Sequence, residues 1–116
     1  MEFNGGLPIY SQIVELFKRR IASGELGPGD KVAAVRDLAV DLGVNPNTMQ
    51  KALAALEQEG LLYTERTSGR YVTNDAGLIA RLKTDMLENE AARYAAAAAA
   101  LGCARADALD ALNKVL

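Results

Sequence analysis

Between residues 45 and 51 the chain reads Asn-Pro-Asn-Thr-Met-Gln-Lys. Asn45, Asn47, Thr48 and Gln50 carry side chains that hydrogen-bond, and Lys51 adds a positive charge. Arg36 lies upstream; Arg66, Thr67, Ser68, Gly69 and Arg70 lie downstream. Groups of this kind recognise other hydrogen-bonding surfaces. Covalent catalysis has no support in the composition. With no histidine and a single cysteine, Cys103, the chain cannot assemble a Ser-His-Asp or Cys-His mechanism. Zinc and most other transition metals lack donors for the same reason. Glu57 and Glu59 sit two apart on a predicted helix, point in different directions and form no acid/base pair. No cofactor is expected.

The elements that must position these residues follow from hydrophobic spacing. Leu38, Ala39 and Leu42 share one face of a short helix. Gly43 follows the last apolar residue, where a left-handed residue stops a helix, and Val44 plugs the angle beyond it. Asn45 is a strong N-cap, and Pro46 suits the first helical position because its missing N–H costs nothing there. Met49, Ala52, Leu53 and Leu56 recur at helical spacing, giving the second helix a buried stripe and leaving Asn47, Gln50, Lys51 and Gln58 on the opposite face. Two helices crossing sharply over so short a turn form a helix-turn-helix, a device that lays its second helix in the major groove of DNA. The bland alternative for this run is an ordinary helical hairpin with a solvated face.

The flanks extend the pattern. A first helix is predicted from Pro8 to Ala22, with Ile9, Ile13, Phe17 and Ile21 spaced by four, Tyr10 and Leu16 widening the stripe, and Gly24 ending it. Lys31 and Val32 suffice for a very short strand. Gly60 ends the second helix of the motif. Leu61–Glu65 and Arg70–Thr73 are β-prone runs around a glycine-containing turn and predict a hairpin, the wing of a winged helix; the alternative is a plain surface hairpin. Residues 76–101 form a long helical segment with Ile79, Leu82, Met86 and Tyr94. After Gly102 a last helix carries Leu109, Leu112 and Leu116. This alanine-rich tail has little bulk for a core of its own, so the expected partner is the tail of a second copy; the alternative is a partly frayed solvent helix. The expected fold is mainly α with a small β-hairpin: a winged helix-turn-helix over residues 1–73 and a two-helix dimerisation tail over 74–116.

The 116 residues suit about one domain, half of them apolar and only 5% aromatic, so the core must be aliphatic. The N-terminus carries no basic region followed by an apolar run, and no stretch approaches a membrane span. A lone cysteine fits a reducing cytoplasm. The net charge is −2, unhelpful for binding DNA, but distribution outweighs the total. Arg36, Lys51, Arg66 and Arg70 are expected to cluster, with Glu15, Glu25, Glu57 and Glu59 largely elsewhere. The competing class is a winged helix whose exposed helix binds another protein; the two wing arginines and the Asn-rich helix start favour DNA.

Six separated segments then agree with one family. They are Pro8-Ile-Tyr-Ser-Gln-Ile, Ile21-Ala-Ser-Gly-Glu-Leu-Gly-Pro-Gly-Asp, Val35-Arg-Asp-Leu-Ala, Val44-Asn-Pro-Asn-Thr, Leu56-Glu-Gln-Glu-Gly-Leu and Thr67-Ser-Gly-Arg-Tyr-Val. Their order and spacing over residues 8 to 73 closely resemble the GntR family of bacterial transcription regulators, and the short two-helix tail resembles its YtrA-type subfamily. The resemblance implies a homodimeric repressor on a pseudo-palindromic operator in double-stranded DNA. It implies that Arg36 reaches a base edge, often guanine. Asn45, Pro46, Asn47, Thr48 and Gln50 would lie at the groove, with Thr48 on phosphate. Lys51, Arg66 and Arg70 would mostly hold phosphates. Thr67, Ser68 and Gly69 would carry the wing tip into the minor groove. Ile79, Leu82, Met86, Tyr94, Leu109 and Leu112 would form the dimer seam. Larger relatives carry a separate effector domain, for which the 43 residues after Thr73 leave no room. A small effector, if one acts, would sit between tail and winged helix or in the dimer seam, with Tyr94 and Cys103 as candidates by location. Three departures stand out: Ala33-Ala34 replaces a usual Pro-Ser, Pro46 and Gln50 stand where many relatives have arginine, and Ala104 replaces a Ser or Thr cap. With Pro46 and Gln50 in those places, the strongest guanine readers give way to side chains that pair best with adenine.

Overall fold

A computed structural model describes residues 2–116. Among them the order of elements is α1 (Ile9–Ser23), α2 (Val35–Leu42), α3 (Pro46–Gln58), β1 (Leu62–Glu65), β2 (Gly69–Val72), α4 (Ala76–Ala100) and α5 (Arg105–Val115). The chain divides into two compact units, the first reaching Leu82 and the second spanning Lys83–Leu116.

In the first unit the spacing by four puts Ile13, Phe17 and Ile21 on one buried face of α1. Ile9, the first member of the expected row, stays largely exposed. The sharp turn forms at Gly43, whose φ of 68° is left-handed, a conformation a side chain would strain. The Val44 N–H then reaches back to the Ala39 carbonyl at 2.9 Å, satisfying one of the carbonyls a helix end leaves open. Across the turn, Asn45 Oδ1 accepts from the Asn47 N–H at 2.7 Å, and Pro46 opens α3. Met49, Ala52, Leu53 and Leu56 are fully buried, and α3 packs against α1, α2 and β1.

The wing pairs Leu62 with Val72, Tyr63 with Tyr71, Thr64 with Arg70 and Glu65 with Gly69. Leu62 and Val72 are buried at its base. A short segment joins the other edge of β2: Lys31 bridges Tyr71, and the Val32 N–H donates to the Arg70 carbonyl at 2.9 Å. This is the very short strand expected from Lys31-Val32.

The first unit runs past the boundary expected at residue 73. The Thr73 N–H donates to the Leu61 carbonyl at 2.9 Å, and Asp75 Oδ1 accepts the Leu78 N–H at 3.0 Å, starting α4. Leu78, Ile79 and Leu82 then pack on the core of this unit. Ile79 and Leu82, expected on the dimer seam, thus belong to the winged helix: the first turns of α4 follow β2 so closely that their apolar residues meet its core.

In the second unit α4 ends near Gly102 and α5 begins after Ala104. The Cys103 N–H donates to the Ala98 carbonyl at 3.0 Å. The Tyr94 hydroxyl donates to the Ala108 carbonyl at 2.6 Å, stapling α5 to α4. Ala104 offers no cap oxygen, but Asp107 Oδ2 accepts its N–H at 3.2 Å. Neither helix buries a residue, and Leu87, Leu109 and Leu112 stay exposed.

Ala34 occupies the N-cap of α2 in extended conformation, with no side-chain hydrogen bond. Serine fits that backbone and would accept an open N–H. Ala34→Ser should stabilise the protein by about 1 kcal/mol, raising Tm by roughly 4 to 8 °C in a thermal melt.

Candidate nucleic-acid interface

A helix that buries four residues on one side must present the rest on the other. Asn45, Pro46, Asn47, Gln50 and Lys51 are all exposed, and Thr48 is half-buried. One lone pair of Asn45 Oδ1 is taken by its own cap, leaving its amide NH2 and the second lone pair to act outward. Lys51 Nζ rests 4.0 Å from the centre of the Tyr10 ring, a cation–π contact that holds the ammonium over α1 while leaving it solvated. Arg36 stands exposed in the first turn of α2. It shares a shallow apolar depression with Ala39, Val40, Gly43, Val44 and Pro46, which places it beside the start of α3.

The wing contributes Arg66, Thr67, Ser68 and Gly69, all exposed. The Ser68 N–H donates to the Glu65 carbonyl at 3.3 Å, and the Tyr71 hydroxyl donates to Ser68 Oγ at 2.8 Å. Tyr63 and Tyr71 stack across the strands at 5.7 Å. Gly69 has φ 117°, and a Cβ there would come 3.4 Å from Lys31 Cε. The stem of Lys31 therefore crosses the wing at Gly69. Sequence reasoning did not count Lys31 among the site residues. Its expected strand was the available signal, since pairing with β2 is what carries the lysine to the wing.

Arg70 departs from expectation. It is half-buried, and its Nε donates to Glu57 Oε1 of α3; Thr64 Oγ1 donates to the same oxygen at 2.7 Å. Glu57 therefore lies with the basic cluster, and its carboxylate neutralises one of the expected four cations. The cause is the hairpin register: Thr64 and Arg70 face each other and share the side that packs on α3. Among the described residues, Lys31, Arg36 and Arg66 make no ion pair. The interface thus offers Arg36 and Lys51 as available cations at the polar helix start, and Lys31 and Arg66 on the wing. Of the residues expected at a dimer seam, Met86 is half-buried and Tyr94, Leu109 and Leu112 are exposed. Tyr94, Leu109 and Leu112 line a groove of about 700 Å³ in the second unit, together with Cys103.

The chain matches the bacterial regulatory proteins of the gntR family over residues 9–72. It is 40% identical to the HTH-type transcriptional repressor YtrA of Bacillus subtilis (strain 168), over 72% of this chain and 59% of that protein. Across three of the curated regulators it resembles, it spans 29%, 73% and 59% of their lengths. A GntR family transcriptional regulator from Listeria monocytogenes superposes with a TM-score of 0.89 at 35% identity, covering 98% of this chain and all of that one. The DNA-binding domain of AraR, solved in complex with the operator ORX1, superposes with a TM-score of 0.58 at 31% identity, over 62% of this chain and 93% of that one. The chain belongs to the gntR family of bacterial regulatory proteins.

Burial pushes the Glu57 carboxyl upward, but the hydrogen bonds from Thr64 and Arg70, with the Arg70 charge, outweigh it and set it below its ordinary value of 4.5. Ionised Glu57 is thus favoured by folding. Its contribution is full above the unfolded value and is lost as pH falls through the lower folded one. Glu57→Gln should cost about 1 kcal/mol at neutral pH, and the gap from the wild type should close as the pH falls below the ordinary value of 4.5. Denaturant melts across that fall in pH measure it; a gap independent of pH contradicts the ion pair.

Proposed function

We propose that the chain is a sequence-specific DNA-binding transcriptional regulator, a repressor working in the cytoplasm as a homodimer on a pseudo-palindromic operator. One observation carries this reading: the first two turns of α3 turn Asn47, Gln50 and Lys51 outward beside exposed Arg36, and the wing whose tip is exposed packs on the same helix through Glu57. The operator complexes of the AraR DNA-binding domain and the name of YtrA as a repressor support it. No helix among the described residues is long and apolar enough to cross a membrane.

In this reading α3 enters the major groove by its N-terminal end. Arg36 pairs with a guanine edge; Asn47 and Gln50 have the amide geometry that pairs with adenine. Thr48, Lys51, Lys31 and Arg66 hold phosphates, which set position and contribute affinity without reading sequence. Thr67, Ser68 and Gly69 carry the wing tip to the neighbouring minor groove. The second unit supplies the dimer. Its helices bury no residue within one chain, and Tyr94, Leu109 and Leu112 line an apolar groove that a second copy would cover.

Selection of bound fragments from genomic DNA should return a pseudo-palindrome with half-sites about one helical turn apart. Retention of no duplex above background in a gel shift, including the DNA upstream of the protein's own gene, overturns the reading in favour of a protein-binding winged helix. On the selected operator, Arg36→Ala should lose roughly 1–3 kcal/mol per half-site and relax preference at one base pair. An equal loss on every sequence reassigns Arg36 to phosphate. Leu112→Asp should convert dimer to monomer by sedimentation and weaken operator binding by at least about tenfold, because one linked half-site is lost. Unchanged sedimentation assigns the seam elsewhere.

A further inference from the structure

We infer that Glu57 is a positioning residue that fixes the wing on α3 and withholds the Arg70 charge from DNA. The inference rests on the DNA-binding reading above. Oxygen Oε1 of Glu57 accepts from Thr64 of β1 and from Arg70 of β2. Thr64 and Arg70 are directly paired in the hairpin, so one carboxylate on α3 grips both strands at a single rung. The next rung, Glu65 with Gly69, opens into the turn of Arg66, Thr67 and Ser68. A two-stranded hairpin is only marginally stable alone, so its tip is placed by what anchors its base. The lower rungs are anchored by burial of Leu62 and Val72. Higher up, Glu57 is the anchor that reaches α3.

The second consequence is electrostatic. Arg70 and Glu57 are 20% and 30% exposed in their side chains, and within the pair the guanidinium charge is matched. A free arginine at this point would attract phosphate on any sequence, raising non-specific binding as much as specific binding. By holding Arg70, Glu57 restricts the cations that track the backbone and leaves discrimination to the base-reading side chains. The same side chain thus sets the register of the wing and limits indiscriminate affinity.

Fluorescence anisotropy on the selected operator and on a scrambled duplex, across about 50 to about 200 mM salt, tests this. In Glu57→Gln the amide oxygen still accepts from Thr64 and Arg70, but the negative charge is gone. On the scrambled duplex the slope of log K against log salt should steepen by about 0.9 per bound chain, an additional 3- to 4-fold loss across that salt range. The ratio of operator to scrambled affinity should stay within about twofold of the wild type, because an added phosphate contact strengthens both alike. Arg70→Gln leaves the Glu57 carboxylate unpaired at the interface and should weaken binding to both duplexes by repelling phosphate. The double variant should return to the wild-type slope. A slope flattened by about 0.9 in the double variant, or left unsteepened in Glu57→Gln, overturns the inference while leaving the DNA-binding reading intact. A wild-type chain that binds no duplex overturns both. Should Glu57→Gln fail to fold by circular dichroism, the double variant alone decides.

Discussion

The first unit depends on a single constraint: α3 must be core pillar and exposed surface at once. Met49, Ala52, Leu53 and Leu56 have no exposed area, while their neighbours Asn47, Gln50 and Lys51 are open to solvent. A period of 3.6 residues makes this division possible, because residues three and four apart share a face. Three elements, α1, α2 and β1, close on the apolar side. Rotating α3 about its axis to move its polar face would expose four close-packed side chains, at several kcal/mol. The orientation of the exposed face is therefore set by the core.

That constraint also explains how an acidic chain can present a basic interface. With 13 Lys and Arg against 15 Asp and Glu, the total charge opposes an approach to phosphate. Local arrangement decides at contact distance, since charges more than about 8–10 Å apart are largely screened at physiological salt. Several acids are drawn into pairs away from α3's exposed start: Glu59 with Lys18 at 2.8 Å, Glu25 with Arg20 at 3.4 Å. Arg36 and Lys51 remain at the polar helix start, and Lys31 and Arg66 on the wing. Glu57 differs because its partner sits on the wing itself, and exposed Asp37 and Glu65 lie next to Arg36 and Arg66 in the chain.

Much of this was legible because it is local. Gly43, Asn45 and Pro46 announce a helix stop and a helix start within four residues, each by a backbone property of its own side chain. The β-prone runs Leu61–Glu65 and Arg70–Thr73 around a glycine-containing turn announce the hairpin. Three features resisted for one shared reason: they depend on which distant residues come together. The Glu57–Arg70 pair spans 13 residues and exists only in one hairpin register. Lys31 reaches Gly69 only because its segment joins the edge of β2. Ile79 and Leu82 show helical spacing, but spacing names a buried face without naming what buries it; proximity to β2 settles that for the first turns of α4. For Tyr94, Leu109 and Leu112 the same ambiguity persists within one chain, where nothing covers them fully.

The departures at Ala34, Pro46 and Gln50 bear on what the proposed reading head can distinguish. Pro46 has no N–H and a rigid ring, so it shapes the start of α3 and offers a base edge apolar contact but no hydrogen bond. One lone pair of Asn45 Oδ1 is taken by the cap at 2.7 Å. An adenine edge presents one donor and one acceptor side by side, so bidentate pairing needs an amide with both ends free. Asn45 would have to meet that demand with the second lone pair of an oxygen already turned to the Asn47 N–H. Asn47 and Gln50 make no side-chain hydrogen bond among the described residues and keep both ends available. They lie three apart and hence on one face. Arg36 is then the available guanidinium beside the start of α3, because Arg70 is held by Glu57 and Arg66 belongs to the wing tip. The proposed recognition chemistry is therefore divided by geometry: two free amides suited to adenine from α3, one guanidinium suited to guanine from α2, and a wing whose placement rests on a carboxylate.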